Sequence, residues 1–277
     1  MFAQLNSDLE THGIEPLGAY AEQLRALSNH EAQAWANRPL SYKFSAINSV
    51  LANLGNRKAS TTESEILVRI SATITASQRY KKLIIKSAQN SADQLTQNSR
   101  DAAIWLNLPS AQEETQQTML IRLHHTMMYQ AQKAFGISSP IGRKLEAATI
   151  NFYQALNGKS GYVARNPKTG QNEVFVNLHP DVIKAHHLDL ADTMAHETSH
   201  IIDDIVADAY DENSQSIPDW LQDDAQRLSL ARKFNAYITP KLSTAGYALQ
   251  SEEDQAFEVG CACMRQFSRN LNIYCPV

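Results

Sequence analysis

The strongest constraint on this chain is an H-E-x-x-H motif at residues 196–200. Two histidines four residues apart project from one face of an α-helix, one turn from each other, where their ring nitrogens can bind a single zinc ion. The flanking residues predict such a helix from about Leu188 to Tyr210, with Asp189 or Asp192 as its N-terminal cap. The glutamate of the motif is then placed to take a proton from a water molecule on the metal.

A zinc site of this type needs a third protein ligand and leaves its fourth position to water. Asp203 and Asp204 follow on the motif's own helix. A further turn of that helix lies about 6 Å along the axis, which is too far to close the same site. We therefore expect these two aspartates to cap the helix or to support the ligands.

Candidates for the third ligand lie in the acidic stretch that follows residue 250. The pattern predicts a helix over about 251–270, and there Glu253 falls in register with apolar residues on the side expected to face the core. Ser251 and Asp254 have the spacing of a capping box, which would engage Asp254 with backbone amides. Glu253 is therefore the first candidate, and Asp254 and then Glu258 are the alternatives.

Elsewhere the sequence predicts helices and one β-hairpin. Helical periodicity predicts one or two helices over 63–95, a helix from a Ser110–Glu113 capping box to Phe135, and another from Pro140 to about Gly158. Strands are predicted at 161–165 and 173–178, joined by a loop that contains Pro and Gly. The second strand has two interpretations: a sheet-edge strand above the motif helix with which an extended substrate could pair, or part of a purely structural hairpin. The predicted fold class is α+β, mostly helical, with a small antiparallel sheet.

Composition narrows the possible partners and compartment. The 277 residues carry 25 Lys plus Arg against 29 Asp plus Glu, a formal net charge of -4. Nucleic acids and anionic membrane surfaces select for basic faces, so we expect neither as the partner. Residues 1–22 lack the basic and apolar regions of a signal peptide, so we expect no Sec export and a cytoplasmic location in the producing cell. The 3 cysteines are too few for a disulfide framework, and we expect buried free thiols at 261 and 263.

Other residues with ligating or apolar side chains have simpler interpretations. The pairs His124–His125 and His186–His187 cannot each clamp one metal, because adjacent residues on a helix point about 100° apart. We expect surface or partly buried positions for them. Met119, Met127 and Met128 are expected to line a core.

The segments H-E-T-S-H-I-I-D-D at 196–204, G-Y-A at 246–248 and E-D-Q-A at 253–256 resemble the lethal-factor-like zinc metallopeptidases, a group that includes the Pro-Pro endopeptidases. The resemblance covers residues 161–267. It implies a zincin-like catalytic core with one Zn²⁺ per chain, bound by His196, His200 and Glu253. It also implies Glu197 as the general base and Tyr247 as the donor that stabilises the transition state. The spacing from Tyr247 fits Asp254 better than Glu253 by one residue, so Asp254 stays an alternative ligand.

The function implied by this resemblance is a zinc-dependent endopeptidase that hydrolyses peptide bonds of a protein or peptide substrate. Residues 111–277 would form its catalytic domain, and residues 1–110 a helical N-terminal region of unknown role. By analogy with the toxins of that group, the protein would be an effector delivered into a target cell. Two alternatives stay open. One is a non-enzymatic helical interaction protein with an accidental motif, and the other is a zinc peptidase that acts on peptidoglycan peptides.

Overall fold

The computed structural model of the protein describes residues 37–146, 149–156, 160–180, 182 and 188–275. Their fold is mostly helical with one small three-stranded sheet, which confirms the predicted α+β class. None of the helices in these ranges combines the length and the apolarity needed to cross a bilayer.

The elements follow the chain in a simple order. The α-helices of the described ranges are Leu40–Leu54 (α1), Thr61–Ser71 (α2), Gln78–Thr96 (α3), Ser99–Leu106 (α4), Glu113–Phe135 (α5), Pro140–Leu145 (α6), Asp189–Asn213 (α7), Gln222–Phe234 (α8), Thr244–Ala248 (α9) and Ser251–Leu271 (α10). The strands are Thr149–Tyr153 (β1), Gly161–Arg165 (β2) and Asn172–Asn177 (β3). Short 3-10 helices lie at Leu108–Ser110, Ser214–Ser216 and Asp219–Leu221.

The described residues form two compact units. The first comprises residues 37–77 and 226–254, in which α2 packs against both α1 and α9. Its core is a cluster of buried apolar side chains: Phe44, Ile47, Leu54, Leu67, Ile70, Ile74, Ala236 and Ile238. The second comprises residues 78–225 and 255–275, in which α3 and α7 pack against α5, and the sheet lies on α7. These contacts do not test the division of roles between residues 1–110 and 111–277, which stays a prediction.

The sheet has the strand order β1-β3-β2 and is mixed. The predicted hairpin is confirmed, because β2 and β3 pair antiparallel with Val163 opposite Val174. The helix predicted up to Gly158 is wrong, since α6 ends at Leu145 and β1 follows, paired parallel to β3. Four of the five residues of β1 are β-branched or aromatic, namely Thr149, Ile150, Phe152 and Tyr153. Such a run fits a half-buried strand when β3 is available as its partner. The antiparallel sheet predicted from the hairpin is therefore a mixed one.

The position of β3 also corrects the interpretation of this run as a substrate strand. The run 173–178, considered as a sheet-edge strand, is the centre of the sheet and pairs on both sides. Its Val174 and Val176 are fully buried. The edges of this sheet are β1 and β2, which sequence periodicity does not distinguish from a central strand.

Most predicted helix bounds are confirmed, whereas the predicted caps are wrong. The run 63–95 forms two helices, α2 and α3, and α5 ends at Phe135 as predicted. Ser110, however, lies in a 3-10 turn, and the N-cap of α5 is Gln112, which makes no side-chain cap hydrogen bond. A capping box is present instead at Ser60 and Glu63, where α2 begins.

The motif helix α7 is 25 residues long and buried over most of its length. Leu188 is its N-cap and makes no side-chain hydrogen bond, so the capping role predicted for Asp189 or Asp192 is wrong. Asp192 is instead a buried residue of the helix, and its carboxylate fills the space that a side chain at Gly260 of α10 would need. This contact is long-range, and no local pattern could have predicted it.

Candidate metal centre

The two motif histidines face one another on α7. Their Nε2 atoms lie 3.2 Å apart, with His196 buried and His200 half-buried. Zn–N bonds of about 2.0–2.1 Å would span that separation with an angle of about 100° at the ion, close to tetrahedral. The pair is therefore spaced as two nitrogen ligands of one metal are.

Glu253 lies in the first turn of α10, with 2% of its surface exposed. One turn further along the same continuous helix, the Phe257 ring lies 4.9 Å from the ring of His196, centroid to centroid. One possible ligand atom from each of His196, His200 and Glu253 lies within 4.8 Å of the other two. Two imidazole nitrogens and one carboxylate oxygen are a donor set that fits Zn²⁺ with an open fourth position.

The alternative ligands have other surroundings. Asp254 is half-buried, and Glu258 is exposed and forms an ion pair with Lys81 at 2.7 Å. Among the described residues, neither belongs to a group of three ligating side chains. The first hydrogen bond of α10 runs from the amide of Asp254 to the carbonyl of Gln250, and the hydroxyl of Ser251 is bound by Arg227. The capping box predicted for Ser251 and Asp254 is therefore wrong, while the predicted core-facing side of Glu253 is confirmed.

Glu197 is nearly buried and lies beside β2. A Cβ atom at Gly161, the first residue of β2, would lie 2.7 Å from Cγ and 3.0 Å from Oε1 of Glu197. It would also lie 3.0 Å from a methyl group of Thr193. Only glycine allows the strand to approach the helix this closely. The strand backbone thus packs directly against the side chain predicted to be the general base.

Two tyrosines, Tyr237 and Tyr247, lie near Glu253. The hydroxyl of Tyr237 donates a hydrogen bond of 2.9 Å to Oε1 of Glu253. The Tyr247 ring meets the Tyr237 ring edge to face, with centroids 6.0 Å apart. Burial, followed by the negative charge of Glu253, raises the pKa of Tyr247 well above its ordinary value, so this hydroxyl stays protonated and able to donate. The family resemblance indicates Tyr247, whereas no motif in the sequence marks Tyr237, which lies 16 residues before Glu253.

A buried hydrogen-bond network joins the motif helix α7 to α10. Asp203, one turn after His200 on α7, accepts hydrogen bonds from the Tyr80 hydroxyl at 2.5 Å and from Nε2 of Gln255 at 3.0 Å. Gln255 is two residues after Glu253 on α10. These bonds join α7 to α10 close to the candidate ligands and satisfy the buried carboxylate.

The motif helix α7 also contacts a buried histidine of α5, His124. His124 of α5 is fully buried, with Nδ1 at 2.9 Å from the hydroxyl of Thr198, the third residue of the motif. Burial, with a smaller effect from the neighbouring His125, lowers the pKa of His124 to about 3, so the ring is neutral. The surface or partly buried position expected for His124 is therefore wrong, while His125 is exposed. The second pair, His186–His187, lies outside the described residues.

The remaining expectations concern the core. Cys261 and Cys263 are buried free thiols, as predicted, and burial raises the pKa of Cys261 to about 11. Met119, Met127 and Met128 lie in the core, which is also confirmed.

Comparisons with known proteins add nothing to this geometry. No protein family matches the chain, and no curated protein or solved structure is detectably similar to it. The site must therefore be interpreted from its own residues.

Proposed function

We propose that the protein is a zinc-dependent endopeptidase with a zincin-like core. The observation that supports this most directly is the group of His196, His200 and Glu253, whose possible ligand atoms lie within 4.8 Å of one another. Glu197 directly follows His196 in the sequence. Metal-assisted peptide hydrolysis requires three protein ligands of this type, an open coordination position and an adjacent carboxylate.

His196, His200 and Glu253 would hold the ion, and the chain's other residues would move protons and bind the substrate. When bound, zinc polarises the scissile carbonyl and lowers the pKa of water at the site. Glu197 would accept the proton of the attacking water and then deliver it to the leaving amine. Tyr247, protonated across the physiological range, would donate a hydrogen bond to the oxygen that becomes negative.

Strand β2 is the strand we propose for substrate binding. It pairs with β3 on one side, and its other edge carries no strand among the described residues. An extended peptide can add to such an edge through main-chain hydrogen bonds. Because Gly161 packs against Glu197, a peptide bound along β2 would run past the general base. A protein or peptide is therefore the substrate class, and delivery as an effector into a target cell follows only from the toxin analogy.

The test combines metal analysis with a search for cleavage. Purified protein is assayed for zinc content and then incubated with a mixed peptide library, with products read by mass spectrometry. The matched control is Glu197→Gln, which keeps the shape of the side chain but cannot accept the proton. We expect about one zinc per chain in both proteins, and cleavage that falls by about 10²–10⁴-fold in the variant.

Three other results would decide against the proposal. A chain that binds no zinc would support the non-enzymatic interaction protein. Release of peptides from purified sacculi without cleavage of the library would support a peptidoglycan substrate. Equal cleavage by wild type and Glu197→Gln would show that the proposed base is wrong.

A further inference from the structure

Glu253 needs support if it is to bind a metal reproducibly. Its carboxylate is almost completely buried, and burying a charge is costly unless donors surround it. A ligating carboxylate must also present one chosen oxygen to the ion, which its hydrogen-bond partners decide. The side chain that donates to Oε1 therefore affects how Glu253 can bind.

That donor is Tyr237, and the backbone of the next residue, Ile238, is fixed by two hydrogen bonds with the side chain of Gln250. The amide N–H of Ile238 donates to Oε1 of Gln250 at 2.8 Å, and Nε2 of Gln250 donates back to the carbonyl of Ile238 at 2.9 Å. The same Nε2 also donates to the carbonyl of Tyr247 at 3.2 Å. Gln250 is nearly buried and precedes Glu253 by three residues, so these bonds fix the chain beside Tyr237 to the start of α10.

We propose that Tyr237 is a positioning residue that fixes the Glu253 carboxylate for metal binding by holding Oε1, while Gln250 fixes the backbone of the next residue. The inference rests on the proposed metal site. The 2.9 Å hydrogen bond from Tyr237 restrains Oε1 and thereby the rotation of the carboxylate that Glu253 presents to the ion. Tyr237 is 47% exposed, so its ring contributes little to the core, and its hydroxyl is the part that carries the role.

The experiment compares zinc affinity in single and double variants by competition with a chromophoric chelator. Tyr237→Phe removes one hydroxyl, and we expect zinc affinity to fall by about 10–100-fold, as for other partners of ligating side chains. Tyr129→Phe, at a tyrosine that is 45% exposed, is the matched control and should keep wild-type affinity. The thermal stability of the metal-free protein should be equal in all three, which separates this role from a structural one.

A double variant tests whether Tyr237 acts through Glu253. In a Glu253→Ala background the two histidines bind zinc weakly, and adding Tyr237→Phe should cause no further loss. The visible absorption of the Co²⁺-substituted protein should also change in Tyr237→Phe and not in Tyr129→Phe. Wild-type affinity in Tyr237→Phe, or an equal further loss in the Glu253→Ala background, would overturn this inference alone. Absence of zinc binding by the wild type would overturn the proposed function together with it.

Discussion

The helices α7 and α10 carry the candidate ligands in two different ways. On α7, two histidines and a glutamate lie within five consecutive residues, and helix geometry alone brings the ring nitrogens to 3.2 Å. On α10, a single glutamate is selected from an acidic run by burial, by its tyrosine partner and by the packing of the helix. A local motif thus specifies its own geometry, whereas an isolated ligand depends on residues distant in the sequence.

The largest expected effect tests the isolated ligand. Loss of a residue that only hydrogen-bonds to a ligand typically lowers metal affinity by about 10–100-fold. Glu253→Ala should lower zinc affinity by more than this, because two histidines cannot complete the site. Asp254→Ala, at the neighbouring half-buried acid, is the control and should retain the metal. Zinc content after dialysis against a mild chelator measures both. If Asp254→Ala alone loses zinc, the spacing from Tyr247 was the better guide to the third ligand.

The second prediction tests whether Glu197 of the motif depends on strand β2 for its position. Gly161→Ala would place a Cβ atom 2.7 Å from Cγ of Glu197 and displace its carboxylate. A misplacement of about 1 Å in a catalytic group can cost about 10²-fold in rate, so we expect a loss of that order in peptide cleavage. Zinc content should stay unchanged, because neither histidine is touched.

Ala164→Ser is the control for this change. Ala164 lies on the same strand, and the alternation of β2 directs its side chain to the opposite face from Gly161. Its peptide cleavage should remain near that of wild type. Full activity in Gly161→Ala would show that the close approach of β2 does not position the base.

The smallest expected effect concerns His124, which contacts Thr198 of α7, and is measured as a free energy of unfolding. The folded-state pKa of His124 is about 3, below its ordinary 6.5, so the unfolded chain takes up a proton on this ring at a higher pH than the folded chain does. Stability present above about pH 6.5 is therefore lost as the pH falls towards 3, at about 1.4 kcal/mol per pH unit. Between pH 7 and pH 5 this amounts to about 2 kcal/mol.

The measurement is the free energy of urea unfolding at several pH values. His124→Gln should reduce its pH dependence in that window by about the stated slope, because the replacement does not titrate. His125→Gln, at the exposed neighbour, should leave the pH dependence unchanged. An identical slope in wild type and His124→Gln would show that the ring takes up its proton at the same pH in the folded and the unfolded chain, and would contradict the lowered pKa.

Several features of the fold could be predicted because their cause is local. The motif helix follows from its periodicity, the β2–β3 hairpin from its turn residues, and the burial of Glu253 from its register with the apolar side of α10. Each of these depends on neighbours within a few residues. The predicted helix caps also rested on nearby residues, but they are wrong. Ser110 and Asp192 are residue types that often cap helices, yet Ser110 lies in a 3-10 turn and Asp192 packs against Gly260.

By itself, the sequence determined the mostly helical class, the pair of histidines on one helix face and the choice of Glu253 over its neighbours as the first candidate. The tertiary structure decided the rest. Pairing with β3 made residues 149–153 a strand and 173–178 the centre of the sheet, because strand partners are chosen over long distances in the chain. Packing also buried His124 behind the motif and brought Tyr237 to Glu253. Residue type shows what a side chain can bind, whereas its partners depend on which distant segments the core brings together.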